Sequence, residues 1–334
     1  GLFLSMRASG RRPCLLESAE GPLRLARWSL LGVNPTEQTE LFTGDSKPTF
    51  PQEITTSPPA HLPPFCGGWI GSFFYEWAAT QETTIPTVSA GPWKGKIADF
   101  QHYSQVIALD HANQKVFCVA PCIEADFGKT MKALETLAHD LHFDYPESPP
   151  FQCENLSPKH SMEKNDFLEG VRSLRQAISE GEIFQAVLSQ RFDLDFEGDP
   201  FQLYRALRLC NPSPHMFFYE GADFTLVGSS PERLVSVIDG QVENRPIAGT
   251  RARSDDQEKD DRLGAELQND PKERAEHDML VDLARNDLGR IARTGTVCVR
   301  EHAALEKFAR VQHLVSRVDC ELAAPFTPLD AFAA

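Results

Sequence analysis

The stretch His215–Arg253, HMFFYEGADFTLVGSSPERLVSVIDGQVENRPIAGTRAR, decides the fold. Its segments HMFFYE and FTLVGS flank Gly-Ala-Asp, a hairpin signal. RLVSVID and QVENRPI flank Gly240 and predict a second hairpin, which delivers the loop NRPIAGTRAR (Asn244–Arg253) at its end. Two helices follow, an acidic one over DDQEKDDRLGAEL and one from Pro271 to about Ala284. Strands clustered ahead of helices predict an α+β fold of layered antiparallel β-sheets with helices packed outside, rather than a nucleotide-binding βαβ chain. The loop itself packs three arginines around a proline and an Ala-Gly-Thr turn, a composition that often holds an anion. With one glycine it lacks the spacing of a P-loop or a dinucleotide fingerprint.

Upstream, YSQVIALD and KVFCVA predict a hairpin around HANQ, and KTMKALETLAHDLH has helical apolar spacing. Two proline-rich stretches punctuate the chain, a long loop over residues 46–65 and a connector over 145–161. They divide it into an N-terminal region (1–145), a linker (146–164) and a C-terminal domain (165–334). After the connector, Asn165 or Asp166 caps a helix in which Leu168, Val171, Leu174 and Ile178 share a face, and Gly181 suits its stop. IFQAVLSQRFDLDF, rich in β-branched and aromatic residues, reads as a long strand. A short helix over PFQLYRALRL ends at NPSP, whose prolines forbid its continuation.

The bulk numbers exclude several classes. At 334 residues, with 41% apolar and 24% charged side chains, the chain has the makings of a globular protein with ample core. A net charge of −15 argues against nucleic acid and against an anionic membrane surface. No apolar run approaches the roughly 18 residues that span a bilayer. The opening GLFLSMRASGRR lacks the order of a signal peptide. Eight scattered cysteines, of which Cys118 and Cys122 are the closest pair, read as reduced packing residues of a cytosolic protein. The chain stops at FTPLDAFAA without a finishing element and reads as a fragment.

Three features bear on chemistry. In DPKERAEHDMLVDLARND, Asp270 and Pro271 make a good helix start, and Glu273, Glu276 and His277 fall within one turn. Glu276 precedes Met279, Leu280 and Leu283 at helical spacing, which places it on the apolar, inward face. An inward carboxylate is costly unless paired or metal-bound, and two at i,i+3 suit a hard cation such as Mg²⁺. The same glutamates also read as solvated first-turn residues favouring the helix dipole. Glu232 in GSSPERL follows a proline after a predicted strand, a rigid presentation for a general acid or an ordinary loop position. His313 in RVQHLVS lies amid apolar neighbours, as a core histidine or a site residue. NPSPHMFF and CLLESAE read as a turn and a strand edge with no chemistry of their own.

Together, EIFQAVLSQRF, NPSPHMFF, VGSSPERL, RPIAGTRAR, KERAEHDMLVDLARNDLGR and VQHLVS occur in the order seen in chorismate-utilising enzymes. The chain resembles component I of anthranilate synthase and the similar component I of aminodeoxychorismate (p-aminobenzoate) synthase. LLESAE and PPFCGGWIGSFFYE fit that family's N-terminal segment, so the resemblance covers essentially the whole chain. It implies an anthranilate synthase component I-like fold whose C-terminal part is missing. The portion past Ala334 would carry a GAPK-like segment, a substrate-holding tyrosine and arginine, and a second glutamate pair for Mg²⁺.

The resemblance also implies roles. Glu276, with Glu273 beside it, ligates Mg²⁺, which holds the ring carboxylate of chorismate. Glu232 protonates the departing C4 hydroxyl while ammonia, from a separate glutamine amidotransferase subunit, attacks C2, and pyruvate is then eliminated. Gln185 stands where relatives making isochorismate or salicylate carry a water-activating lysine. His313 matches a histidine near the substrate, and Gly249 and Thr250 match residues that contact chorismate. Ala248 stands where many aminodeoxychorismate synthases carry a nucleophilic lysine, a role alanine cannot fill. This favours anthranilate and tryptophan biosynthesis, whereas GGWIG resembles the p-aminobenzoate (folate) branch. Glu17, Ser18, Asn211, Pro212, Ser213, Pro214 and Met216 resemble the site where anthranilate synthase binds its inhibitor tryptophan. A different class, a non-catalytic tryptophan-binding or assembly module, is the remaining alternative.

Overall fold

The computed structural model describes residues 1–19, 27–45, 58–59, 61–82, 84–86, 93–141 and 146–334. Most of the proline-rich loop expected over 46–65 lies outside them, as do His142 at the end of the expected KTMK helix and Tyr145 at the start of the expected connector. Along the chain run α1 (Leu2–Ala8), β1 (Cys14–Glu17), β2 (Trp28–Gly32), β3 (Pro35–Phe42), β4 (Gly68–Phe73) and α2 (Ala78–Gln81). Then come β5 (Lys96–Tyr103), β6 (Val106–Asp110), β7 (Lys115–Val119), α3 (Phe127–His139), β8 (Lys159–His160), α4 (Lys164–Glu180) and β9 (Phe192–Asp193). They are followed by α5 (Pro200–Cys210), β10 (His215–Glu220), β11 (Thr225–Ser230), β12 (Val235–Ile238), β13 (Gln241–Asn244) and β14 (Ile247–Ala252). The chain closes with α6 (Gln257–Asn269), α7 (Pro271–Gly289), β15 (Cys298–Lys307), β16 (Val311–Glu321) and α8 (Pro328–Ala333).

The chain forms two compact units, one of residues 1–146 with 204–334 and one of residues 147–203. The larger unit is built on antiparallel sheets, as the hairpin-rich pattern predicts. One sheet has the order β11-β10-β1-β2-β6-β7; another runs β12-β13-β16-β14, with β15 also paired to β16; a third is β3-β5-β4. The three expected hairpins form as β6/β7, β10/β11 and β12/β13. The last turns at Asp239 and Gly240, both with positive φ (50° and 75°), the conformation of a two-residue type I′ hairpin. Helices α6 and α7 pack on the sheet containing β14 and β16. Val281, Ala284 and Leu288 of α7 meet Val242, Val318 and Cys320 in one buried cluster, the helix period of one partner matched to the strand period of the other.

Two expectations for this unit change. The stretch NRPIAGTRAR is half strand: Ile247–Ala252 pairs with β16, and its register shifts between Ala248 and Thr250. The edge that draws it into the sheet belongs to β16, over sixty residues away in sequence, so no local reading could show it. Helix α7 runs past Ala284 to Gly289, and its buried residues are His277, Val281, Ala284 and Leu288. The inward face is therefore centred on His277, and Glu276 is half-buried on its shoulder.

In the smaller unit, α4 starts at Lys164 with Glu163 as its N-cap and no side-chain cap bond, so neither Asn165 nor Asp166 caps it. Both instead occupy the first turn, where the Asp166 carboxylate favours the helix dipole. Gly181 does end the helix in the left-handed conformation (φ 79°). The apolar stripe turns slightly from the expected one: Phe167, Val171 and Leu174 are half-buried, while Leu168 and Ile178 are exposed. The long strand expected over IFQAVLSQRFDLDF is reduced to Phe192–Asp193, paired with Lys159–His160. A strand persists only where a neighbour takes its hydrogen bonds, and among the described residues that two-residue ladder is the pairing available. Phe184 and Val187, in the unpaired part, are 90% and 87% exposed.

Candidate functional site

The centre of the candidate site is the irregularity in β14. Gly249 adopts φ 76°, which a residue with a Cβ resists, and a Cβ there would lie 3.3 Å from Glu273 Oε2 and 3.0 Å from Leu267 Cδ1. Glycine thus lets the Ala248–Gly249–Thr250 segment press directly on the first turn of α7. Across the ladder, His313 of β16 lies opposite Thr250. Its Nδ1 is 3.1 Å from the Gly249 carbonyl oxygen and 3.0 Å from Thr250 Oγ1. A carbonyl only accepts, so in the neutral ring the proton sits on Nδ1 and Nε2 keeps the lone pair. Ala248, Gly249, Thr250, His313 and Glu273 therefore form one contiguous group. Ala248 is buried, 8% exposed.

Glu232 stands on the turn after β11, where its N–H donates to Ser230 Oγ at 3.1 Å. The side chain is exposed at the rim of a cavity of about 340 Å³. The cavity's other walls include Asn244 and Ile247, which flank the Arg245–Pro246 link into β14, and Leu280, Leu283 and Asp287 of α7. Glu276 precedes those three α7 residues at i+4, i+7 and i+11, so it shares their helix face one turn from the cavity. Asp287 was not picked out from the sequence, although the same spacing from Glu276 places a carboxyl on that face. Burial pushes the Asp287 carboxyl above the usual carboxylate range, with Arg290 partly opposing.

Glu273 and Glu276 are the carboxylates here that could hold a hard divalent cation. Both carboxylates are half-buried, one turn apart on α7. Among the described residues no group of three or more His, Cys, Asp or Glu is arranged to hold a metal ion. The pair would thus supply part of a shell that water and substrate oxygens complete, which suits Mg²⁺. Glu273 also accepts from Arg251 Nη1 at 3.2 Å.

None of the three arginines in NRPIAGTRAR awaits an outside anion. Arg245, 8% exposed, pairs with Glu306. Arg251 pairs with Glu266, Asp270 and Glu273. Arg253 donates to Asp260 at 2.9 Å and to the Phe308 carbonyl at 2.7 Å. The acid met by Arg253 is buried Asp260 inside α6, rather than Asp255 or Asp256 ahead of it; Asp256 instead caps α6 through the Lys259 N–H. The Arg253 and Lys307 hydrogen bonds hold the Asp260 carboxyl well below the usual range.

The other expected residues belong to other parts of the chain. Gln185 belongs to the smaller unit and is exposed. The expected tryptophan site is assembled on another sheet: Glu17 lies opposite Met216, and the Ala19 N–H donates to the Ser213 carbonyl at 3.1 Å. Asn211 joins them by accepting from Ser229 Oγ at 2.6 Å, with Ser18, Pro212 and Pro214 adjoining in sequence. Met216 is 1% exposed. The Glu17 carboxylate is engaged by Arg208 Nε (2.7 Å), Arg208 Nη2 (3.0 Å), Tyr204 (2.8 Å) and Ser29 (3.2 Å). Burial pushes its carboxyl up, but these bonds, Arg208 foremost, outweigh it and leave the group below its usual range. His215, beside this cluster, pairs with Ser230 at the base of the Glu232 turn.

All eight cysteines are free thiols. No helix among the described residues is long and apolar enough to cross a membrane.

The sequence profile of the chorismate binding enzymes matches residues 12–334. Anthranilate synthase component 1 of Acetivibrio thermocellus is 34% identical over 348 residues, covering 95% of this chain and 70% of that protein. The Bacillus subtilis protein of the same name is 34% identical over 356 residues, covering 95% of this chain and 68% of its own length. Among solved structures, anthranilate synthase component I from Streptococcus pneumoniae superposes with a TM-score of 0.75 at 31% identity, over 92% of this chain and 72% of that one. A menaquinone-specific isochorismate synthase from Escherichia coli shares the fold, with a TM-score of 0.64 at 16% identity over 98% of this chain and 69% of that one. On the strength of the profile match and of relatives at this identity, the chain belongs to the chorismate-binding enzyme family.

Proposed function

We propose that this chain is component I of an aminating synthase that converts chorismate and ammonia to anthranilate and pyruvate, in tryptophan biosynthesis. The observation that carries the reading is the contact of the Ala248–Thr250 segment with both His313 and Glu273, next to the cavity bordered by Glu232. The Gly249 turn and His313 would seat the ring of chorismate. Glu273 and Glu276 would hold Mg²⁺, which supplies a fixed positive charge for the ring carboxylate. Glu232 would give its proton to the C4 hydroxyl, which leaves as water while the ammonia nitrogen bonds to C2 and the ring double bonds shift. Loss of the C2 proton and cleavage of the enolpyruvyl C–O bond then release pyruvate and leave the aromatic amine.

Ammonia would come from a glutamine amidotransferase subunit, in keeping with relatives named component 1. By the resemblance Gln185 replaces a water-activating lysine, and a glutamine is no base for water, which favours ammonia over hydration. Alanine at 248 excludes a covalent lysine route, which favours anthranilate over aminodeoxychorismate. The latter product, for folate biosynthesis, is the alternative that GGWIG supports. Tryptophan would bind at Glu17 and Ser18 against Ser213 and Met216, and its ammonium group would compete with Arg208 for the Glu17 carboxylate.

The test uses the protein expressed from its whole gene, assayed with chorismate, Mg²⁺ and ammonia. A fluorescent product identical to anthranilate is expected, with tryptophan slowing its formation. A product that needs a separate lyase to become p-aminobenzoate would select the alternative, and no chorismate consumption by folded protein would refute both enzyme readings and leave a binding or assembly module. Glu232→Gln should abolish turnover while chorismate still binds; near-normal turnover would remove Glu232 from the acid role.

A further inference from the structure

Arg251 is held by more carboxylates than its charge requires. Its Nε donates to Glu266 Oε1 at 3.2 Å, its Nη2 to Asp270 Oδ2 at 2.9 Å, and its Nη1 both to Glu273 Oε1 at 3.2 Å and to the Thr250 carbonyl at 2.9 Å. Three carboxylates around one guanidinium leave a net negative cluster. Arg251 and Glu273 are largely shielded from solvent, with side chains 21% and 19% exposed, so this imbalance is screened less than on an open surface.

The bonds are unequal in what their loss would leave. Glu266 and Asp270 each hold a separate edge of the fork. Glu273 shares Nη1 with the Thr250 carbonyl, which is the closer of the two acceptors. When Glu273 turns away, the Nη1 hydrogen it leaves can pass to water, since the Arg251 side chain is 21% exposed, while Glu266, Asp270 and Thr250 keep the guanidinium in place. Arg251 also joins the first turn of α7 to the backbone of the Gly249 segment, against which Glu273 already presses.

We propose that Arg251 is a positioning residue: a resident cation that holds Glu273 at the Ala248–Thr250 segment and yields it when a divalent cation arrives, while continuing to anchor that segment for substrate. The inference rests on the reading of Glu273 and Glu276 as Mg²⁺ ligands. It predicts opposite effects on cation and substrate, which a merely structural arginine would not produce.

Mn²⁺ serves as the probe, its binding followed by water-proton relaxation in the absence of chorismate. Arg251→Gln removes a positive charge beside the cation and should bind Mn²⁺ about tenfold more tightly. Its KM for chorismate should rise about tenfold, because the Thr250 carbonyl loses its anchor. Arg251→Lys keeps the charge, so Mn²⁺ affinity should stay within about twofold of the parent protein. Its single ammonium cannot span Glu266, Asp270 and Thr250, so KM should still rise. The lysine variant decides the matter if the glutamine variant does not fold. Mn²⁺ binding no tighter in Arg251→Gln, or an unchanged KM in Arg251→Lys, would overturn the proposal. Failure of the parent protein to bind Mn²⁺ at all would instead refute the metal reading of Glu273 and Glu276, and the role of Arg251 with it.

Discussion

Helices α7 and α4 are close in length, 19 and 17 residues, and both carry apolar side chains at helical spacing. In α7, His277, Val281, Ala284 and Leu288 are buried against β14 and β16, whereas α4 buries no residue at all. The contrast extends to the units that contain them. In residues 147–203 the only buried residue is Phe201, while the larger unit holds the three larger sheets and their cores. A helical stripe thus states which face seeks cover but not whether cover is present, since most helix stability in a protein comes from packing. Glu273 and Glu276 of the candidate site stand on the covered helix, whose rotation is fixed by its neighbours.

The largest test of this contrast lies at the core of α7. Leu288 is 2% exposed in the cluster with Val242 and Val318. Leu288→Ala should cost about 2–5 kcal/mol, through lost transfer energy and the cavity left behind. Urea denaturation would measure it, and a loss under about 1 kcal/mol would mean that α7 is no better seated than α4.

The neighbouring position sharpens the comparison with a smaller effect of opposite sign. Burial raises the Asp287 carboxyl, so its charged form is disfavoured in the folded chain. A raised folded value leaves stability intact below the unfolded value, near 3.9, and removes it as pH rises toward and through the folded one. Asp287→Asn should therefore raise the melting temperature at pH 7 to 8, an advantage that vanishes below about pH 4. A carboxyl that weakens the fold at neutral pH, on the cavity wall shared with Glu232, is the pattern expected of a functional group. No stabilisation at neutral pH would show that Asp287 has a compensating partner.

How much of this was legible in the sequence depends on how far each feature reaches along the chain. Hairpins turn on a few adjacent residues, and β6/β7, β10/β11 and β12/β13 all form where their turn signals lie. The capping of α7 by Asp270, with Pro271 at its first position, is equally local. The sheet centre is not legible locally: β14 and β15 are strands through β16, and the partner of β14 lies beyond both helices. The same limit produced the opposite error at IFQAVLSQRFDLDF, where β propensity met no neighbouring strand. For the site, residue types at Glu232, Glu273 and His313 are legible, but the grouping of Glu273 and His313 around Gly249 depends on the β14–β16 ladder. Glu276 looked central to the inward face because Met279, Leu280 and Leu283 are apolar. Yet His277 is the residue that sinks, hydrogen-bonding Ser316 through Nε2 at 2.6 Å.

The smallest expected effect is at α4. Leu174 is half-buried on the stripe with Phe167 and Val171, in a helix with no buried residue. Replacing it by alanine removes apolar contact that is only partly shielded from water, and alanine is the better helix former, which offsets part of the loss. The net change should lie within about 0.5 kcal/mol, against the several expected for Leu288→Ala. Amide hydrogen exchange adds a second arm, because local opening is easiest where few apolar contacts must break. Amides of α4 should exchange well before those of Val281, Ala284 and Leu288. If Leu174→Ala costs as much as Leu288→Ala, or if α4 is protected as long as α7, then something outside this chain's described residues covers that stripe in solution. The contrast between the two helices would then belong to the isolated chain rather than to the working protein.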